Sequence, residues 1–141
     1  MLINLKDRID ETDVRELLEY SMFDEPEKVD KALEEYRYGP EVELYGLETV
    51  DRLVGMVGCR KLGGGELEIR HLSIFPEFRR KGYGALLIKE LAKLKRPETI
   101  SAETDDYGVD FLQKCRLSRH QFGRTIPGRR EIPLRIRLGQ P

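Results

Sequence analysis

The sequence predicts an α/β chain, built as an α+β mixed sandwich, and three observations carry that reading. The hydrophobic period is helical before Gly39, alternates from Val42 onward, and turns helical again at Gly82. Glycine and proline mark those changes, at Gly39-Pro40, Gly63-Gly64-Gly65 and Pro76. The length of 141 residues suits one domain, predicted to span residues 1–141. A chain of that size buries roughly two-thirds of its unfolded surface and needs neither disulfide nor structural metal to fold.

The elements follow in order. Val14, Leu17 and Leu18 recur at helical spacing between Thr12 and Tyr20, with Thr12 or Asp13 available as a cap. A second helix starts near Pro26, a residue suited to the first turn, and carries Val29, Ala32, Leu33 and Tyr36 on one face. Val42 to Val50 and Leu53 to Leu62 read as strands around a turn at Asp51-Arg52, and Glu66 to Phe75 as a third. Gly82 to Lys95 is predicted helical, burying Leu86, Leu87, Leu91 and Leu94. Thr99 to Thr104 is a short strand, Val109 to Lys114 a short helix, and two strands flank a turn at Pro127-Gly128. The expected order is ααβββαβαββ.

Composition narrows the function classes. Hydrophobic residues make up 39% of the chain, and 25 basic against 26 acidic side chains leave a net charge of −1. A nucleic-acid binder would be basic, so nucleic acid is not an expected partner. The charges are nevertheless segregated. Residues 10–48 hold 14 acidic and 4 basic side chains, and residues 49–141 hold 19 basic and 11 acidic. The longest apolar run, Leu53 to Cys59, is far short of the ~20 residues that span a bilayer, so no membrane partner is expected. The start Leu2-Ile3-Asn4-Leu5 turns charged at once and predicts no signal peptide. Cys59 and Cys115 form no C-x-x-C, and a reducing cytoplasm is the expected location. With two histidines and no Cys/His grouping, no metal site is expected.

The most informative stretch runs from Ile74 to Ala85. A strand ends at Pro76, a basic R-x-x-G-x-G loop follows from Arg79 to Gly84, and an amphipathic helix begins within it. Helix N-termini present unpaired N–H groups and the positive end of the macrodipole. Gly82 and Gly84 let those amides approach a bulky anion, and Arg79, Arg80 and Lys81 add charge. A phosphate or pyrophosphate suits this loop; so does a plain strand-to-helix turn with a solvated basic face. No G-x-x-x-x-G-K-[ST] is present, and Leu87 stands where a dinucleotide fingerprint wants its third glycine.

That loop, set after ααββ and before βαββ, resembles the GNAT superfamily of N-acetyltransferases over essentially the whole chain. Ala102-Glu103-Thr104-Asp105-Asp106 and the following Val109 to Cys115 resemble the family's second cofactor-contacting segment. The resemblance implies the acyl-CoA N-acyltransferase fold, a central, mostly antiparallel mixed sheet of six to seven strands flanked by about four helices. It implies acetyl-CoA as co-substrate, with the pyrophosphate on residues 79–84 (Arg79, Arg80, Lys81, Gly82, Tyr83, Gly84). The pantetheine arm would pair with the backbone of Leu72, Ser73 and Ile74, and Asp105 would add a further contact.

Aminolysis of a thioester needs a neutral amine, hence a proton acceptor. Glu68 is the candidate base, at the position where the histone-acetyltransferase branch carries its glutamate. Strict alternation puts Glu68, Arg70, Leu72 and Ile74 on one face, with His71 opposite; the plainer reading is a paired or solvated strand carboxylate. Glu103 is the reserve. Many relatives donate a proton to the departing thiolate from a tyrosine at the position Leu112 occupies, and Arg116 stands where they carry glycine. Tyr107 is a weak candidate acid, and Tyr83, in the basic loop, is another. A CoA thiol with a pKa of about 8.5 can also leave unaided. Cys115 and Cys59 read as small buried hydrophobes, and His120 as a late-strand residue within reach of an acceptor.

The expected activity is an acetyl-CoA-dependent N-acetyltransferase moving acetyl by direct attack to a primary amine of a small molecule or peptide. The acidic first helices suggest a cationic acceptor, and the protein is expected as a monomer or homodimer. The alternative is a non-catalytic acyl-CoA-binding or regulatory module, on the strength of Leu112 and Arg116. A phosphate-loop nucleotide binder fits least.

Overall fold

The computed structural model describes residues 2–22, 25–50, 52–104 and 134–138. Among the described residues, six strands form one sheet in chain order: β1 (Leu2–Asn4), β2 (Val42–Glu48), β3 (Leu53–Lys61), β4 (Glu66–Ile74), β5 (Thr99–Thr104) and β6 (Leu134–Leu138). The pairs β1–β2, β2–β3 and β3–β4 are antiparallel, while β4–β5 and β5–β6 are parallel. Among the described residues, three α-helices flank the sheet: α1 (Thr12–Met22), α2 (Pro26–Tyr38) and α3 (Tyr83–Lys95). The mixed sandwich expected from sequence is therefore present, with β1 added. The predicted helix Val109–Lys114, the turn at Pro127-Gly128, Cys115 and His120 lie outside the described residues.

The sheet is covered on both faces. On one side α1 and α2 bury Val14, Leu17, Leu18, Val29 and Tyr36 with Leu44 and Phe75. On the other, Leu87, Ile88, Leu91 and Ala92 of α3 pack with Val57, Leu67 and Ile69. The buried face of α3 corrects the expectation. Leu86 and Leu94 are 37% and 53% exposed, and Ile88 and Ala92 take their places. A stripe at i, i+1, i+4, i+5 meets the sheet squarely, which rolls Leu86 and Leu94 to the flank. In its last turn, Lys95 pairs with Glu43 of β2, which also accepts a hydrogen bond from Tyr45 Oη at 2.6 Å.

A bulge in β4 positions everything that follows. Gly58 opposes His71 and the next residue, Cys59, opposes Ile69, so Arg70 is an extra residue on β4. Before it, Leu67 and Ile69 pack toward α3; after it, Leu72 and Ile74 do. The predicted single face of Glu68, Arg70, Leu72 and Ile74 is thus broken. Glu68 instead shares the α1/α2 side with His71, which was expected opposite. Arg70 reaches α2 as well, pairing with Glu35 at 2.7 Å and lying 5.7 Å from the Tyr36 ring.

Candidate active site

A cleft of about 460 Å³ opens at the C-terminal end of β4, lined by Tyr20, Leu72, Ser73, Ile74, Phe78 and the loop leading into α3. Its floor is a strand edge. β5 pairs with β4 only from Glu66 to Ile69, then continues with β6 as far as Thr104. Beyond Ile69 the two strands diverge. Phe75 donates its N–H to Val54 O of β3 at 3.0 Å. Peptide groups alternate in a strand, so those of Leu72 and Ile74 face away from β3, into the opening. The Ile74 carbonyl already accepts Arg79 Nε at 2.9 Å, leaving the Ile74 N–H and both peptide groups of Leu72 along the edge.

The rim is the start of α3. Gly82 is its N-cap, left-handed at φ 86°, with no side chain capping the first turn. The amides of Tyr83, Gly84 and Ala85 have no acceptor within the helix, as in any first turn. A side chain at Gly82 would meet nothing within 4 Å, so glycine is needed there for its backbone conformation rather than for space. Arg80 takes a left-handed φ of 62° without being glycine, a conformation that costs roughly 1–2 kcal/mol and is found at ligand clamps. The cleft thus offers amides, a helix dipole and basic side chains at one end and a bare strand edge along its floor. A long ligand with a phosphate-rich head and an amide-bearing tail fits those donors.

Of the residues expected to hold that ligand, Leu72, Ser73, Ile74, Arg79, Arg80, Gly82, Tyr83 and Gly84 are brought together around the cleft. Lys81 is exposed in the same loop, outside the lining. Asp105 and Tyr107 lie outside the described residues, as does the side chain of Glu103. The Glu68 carboxylate does not line the cleft. It sits on β4 before the bulge, 17% exposed, with Oε1 3.1 Å from Arg60 Nη2.

Two further features flank the site, of which the first was not anticipated. Tyr20, at the end of α1, forms one wall, with its ring edge-on to Phe75 at 6.2 Å and beneath the Arg79 guanidinium at 5.1 Å. The signal available was its spacing from Leu17 on the helix face that meets β4. The second is a polar pair at the bulge, where Tyr36 Oη and His71 Nδ1 are hydrogen-bonded. Burial, reinforced by Arg70, lowers His71 to about 4, so its ring is neutral near pH 7. Burial raises the Tyr36 hydroxyl well above its usual range. Cys59 is buried and pushed up to about 12 by that burial, which leaves it a thiol and no nucleophile. Among the described residues, no cluster of His, Cys, Asp or Glu could hold a metal ion, and no helix is long and apolar enough to cross a membrane.

A two-sided α/β sandwich with a splayed parallel seam and an uncapped, basic helix start beside it defines a class of fold with a cleft suited to an anionic ligand. The match of the acetyltransferase (GNAT) family model to residues 11–115 makes the class specific: this chain belongs to the GNAT family of acetyltransferases. An uncharacterised N-acetyltransferase from Bacillus methanolicus is 21% identical over 90 residues, 64% of this chain and 73% of that one. Among solved structures, a Bacillus subtilis acetyltransferase in complex with CoA superposes with a TM-score of 0.63 at 21% identity, over 81% of this chain and 73% of that one. An aminoglycoside acetyltransferase from an uncultured soil metagenomic sample, in complex with sisomicin, gives 0.64 at 15% identity, over 82% and 86%. At such identities the structural likeness is one of fold.

Proposed function

We propose that the protein transfers acetyl from acetyl-CoA to a primary amine by direct attack of that amine. The observation that carries this reading is the open β4 edge running into an uncapped helix start that is left-handed at Gly82. The thioester supplies an activated acetyl group. The amides of residues 82–84, with Arg80 and Lys81, hold the pyrophosphate, and the edge of Leu72 and Ile74 holds the pantetheine arm as an added strand would be held. Arg79 keeps the Ile74 carbonyl engaged and closes the cleft against Tyr20. Glu68 accepts the amine proton through a water, since its carboxylate stands on the strand face turned toward α1 and α2.

A cationic acceptor is the substrate class we infer. Residues 10–48, which include α1 and α2, carry 14 acidic side chains against 4 basic ones, a field that concentrates polyamines, aminoglycosides or basic peptides. The sisomicin complex of the soil-metagenome enzyme shows that one member of the fold takes such a molecule.

One observation favours a second reading, a binding module without turnover. Glu68 is ion-paired to Arg60 and outside the cleft lining, and Leu112 cannot donate a proton. Thiol release from acetyl-CoA across a panel of polyamines, aminoglycosides and neutral amines separates the two. On the catalytic reading, polycations turn over fastest and lose rate as salt rises. Glu68→Gln then lowers kcat about a hundredfold with CoA affinity unchanged. CoA binding without turnover, indifferent to Glu68→Gln, establishes the binding module, and absence of CoA binding overturns both.

A further inference from the structure

The turn between β2 and β3 lies outside every segment so far assigned a role, yet one of its side chains reaches the cleft's support. The Arg52 guanidinium lies 5.0 Å from the Phe75 ring centroid and 5.5 Å from that of Phe78. Its Nη1 is 2.6 Å from Glu77 Oε1. All three partners fall within four consecutive residues, 75–78, the turn that joins the β4 edge to the basic loop. Arg52 itself is anchored at the backbone, because its carbonyl accepts hydrogen bonds from Thr49 N at 2.9 Å and Thr49 Oγ1 at 3.1 Å. Arg52 therefore sets its guanidinium over both rings and pairs it with the Glu77 carboxylate.

Those rings lead directly into the cleft. Phe75 meets Tyr20 edge-on at 6.2 Å, and Phe78 meets Tyr83, the first residue of α3, edge-on at 6.0 Å. Tyr20 in turn lies under Arg79, whose Nε holds the Ile74 carbonyl. Each end of the proposed ligand thus rests on a residue that touches an Arg52 partner. The strand edge is held through Phe75, Tyr20 and Arg79, and the helix start through Phe78 and Tyr83.

The geometry points to Arg52 as a positioning residue for the cofactor loop: by stacking on Phe75 and Phe78 and pairing with Glu77, it holds residues 75–84 in the form that binds CoA. This rests on the reading of that loop as the CoA site. Arg52 is not itself part of the cleft lining and touches no reacting atom, so its effect is preorganisation of the loop through Phe75, Glu77 and Phe78. The loop needs such support from outside. Arg80 is held in a left-handed conformation that only a well-determined surrounding sustains, and no side chain caps the start of α3.

The test compares Arg52→Ala and Arg52→Lys with the wild-type chain, using CoA alone as the probe. Lysine keeps the positive charge, and with it any long-range attraction to the phosphates, but lacks the planar guanidinium that can contact two rings and a carboxylate at once. Calorimetric titration at fixed ionic strength is expected to weaken CoA binding about tenfold in both variants, roughly 1.4 kcal/mol. Amide hydrogen exchange in the ligand-free proteins is expected to quicken at residues 77–84 and stay unchanged in α2, a local pattern that general destabilisation would not give. Wild-type affinity in Arg52→Lys overturns the clamp and leaves only a charge effect, and uniform quickening of exchange overturns it equally. A wild-type chain that does not bind CoA removes the underlying reading and this inference with it.

Discussion

The two halves of β4 are one strand in sequence and two structures in space. From Glu66 to Ile69 the strand is hydrogen-bonded on both sides, to β3 and to β5, and Leu67 and Ile69 are buried beneath α3. From His71 to Ile74 it keeps β3 but loses β5, and its outer peptide groups open into the cleft. Arg70, the extra residue at the bulge, divides the two. The first half builds the core; the second, with the loop it feeds, gives up part of its pairing to offer donors and acceptors to a ligand. One inserted residue suffices, because it reverses which side chains face α3 and coincides with the point where the neighbouring strand departs.

The largest effect is expected at the dividing point itself. Gly58 opposes His71, and a β-carbon there would lie 1.9 Å from Tyr36 Oη and 2.5 Å from Cζ. Gly58→Ala must expel a tyrosine that is 1% exposed and break its bond to His71. We expect a loss of about 3–4 kcal/mol, read from urea unfolding. A loss under about 1 kcal/mol would mean that the bulge accommodates bulk and does not fix the two halves.

The next effect is on pH dependence. His71 is lowered from 6.5 to about 4 by burial and by Arg70, with Glu35 opposing weakly and Tyr36 bonded to its ring. The unfolded chain therefore takes up a proton below pH 6.5 that the folded chain refuses. The stability associated with the neutral ring is complete above that pH and is lost as pH falls toward 4, by roughly 3 kcal/mol. Unfolding measured from pH 7 to pH 4 is expected to show that decline, and His71→Gln to flatten it. An equally steep decline in His71→Gln would assign the loss to carboxylates elsewhere.

The smallest effect sharpens the contrast from the ligand-binding side. Arg80→Gly relieves a left-handed φ of 62° and is expected to raise stability by about 1 kcal/mol while weakening CoA. Stability and affinity moving in opposite directions would mark the loop as shaped for its ligand. If both fall, the arginine side chain contributes to the fold.

The sequence carried the features that depend on local chemistry. The change of period, Pro26 at a helix start, the glycine breaks and the R-x-x-G-x-G loop each act within a few residues, and the elements from α1 to β5 lie close to the expected positions. What escaped is set by contacts distant in the chain. β1 exists because Leu2–Asn4 pairs with Tyr45–Leu47 of β2, and three residues have no period to read. The bulge is invisible because Arg70-His71 continues an unbroken strand composition, so Glu68 and His71 were assigned to opposite faces. The roll of α3 followed leucines, whereas the sheet selected Ile88 and Ala92. Tyr20 and Arg52 reach the site from other elements, and no motif announces them.

Among the described strands, order in the sheet repeats order in the chain. From β1 to β4 every pairing is antiparallel, which a reversing chain makes by folding back on its neighbour; the pairing of β4 with β5 is parallel and requires the crossover through α3. The cleft sits on that boundary, between a portion that assembles by local reversals and one that must wait for a longer closure. A molecule seated across it touches both portions. It would act as a fastener between two cooperative units, linking their opening as well as adding its own binding energy to the folded state.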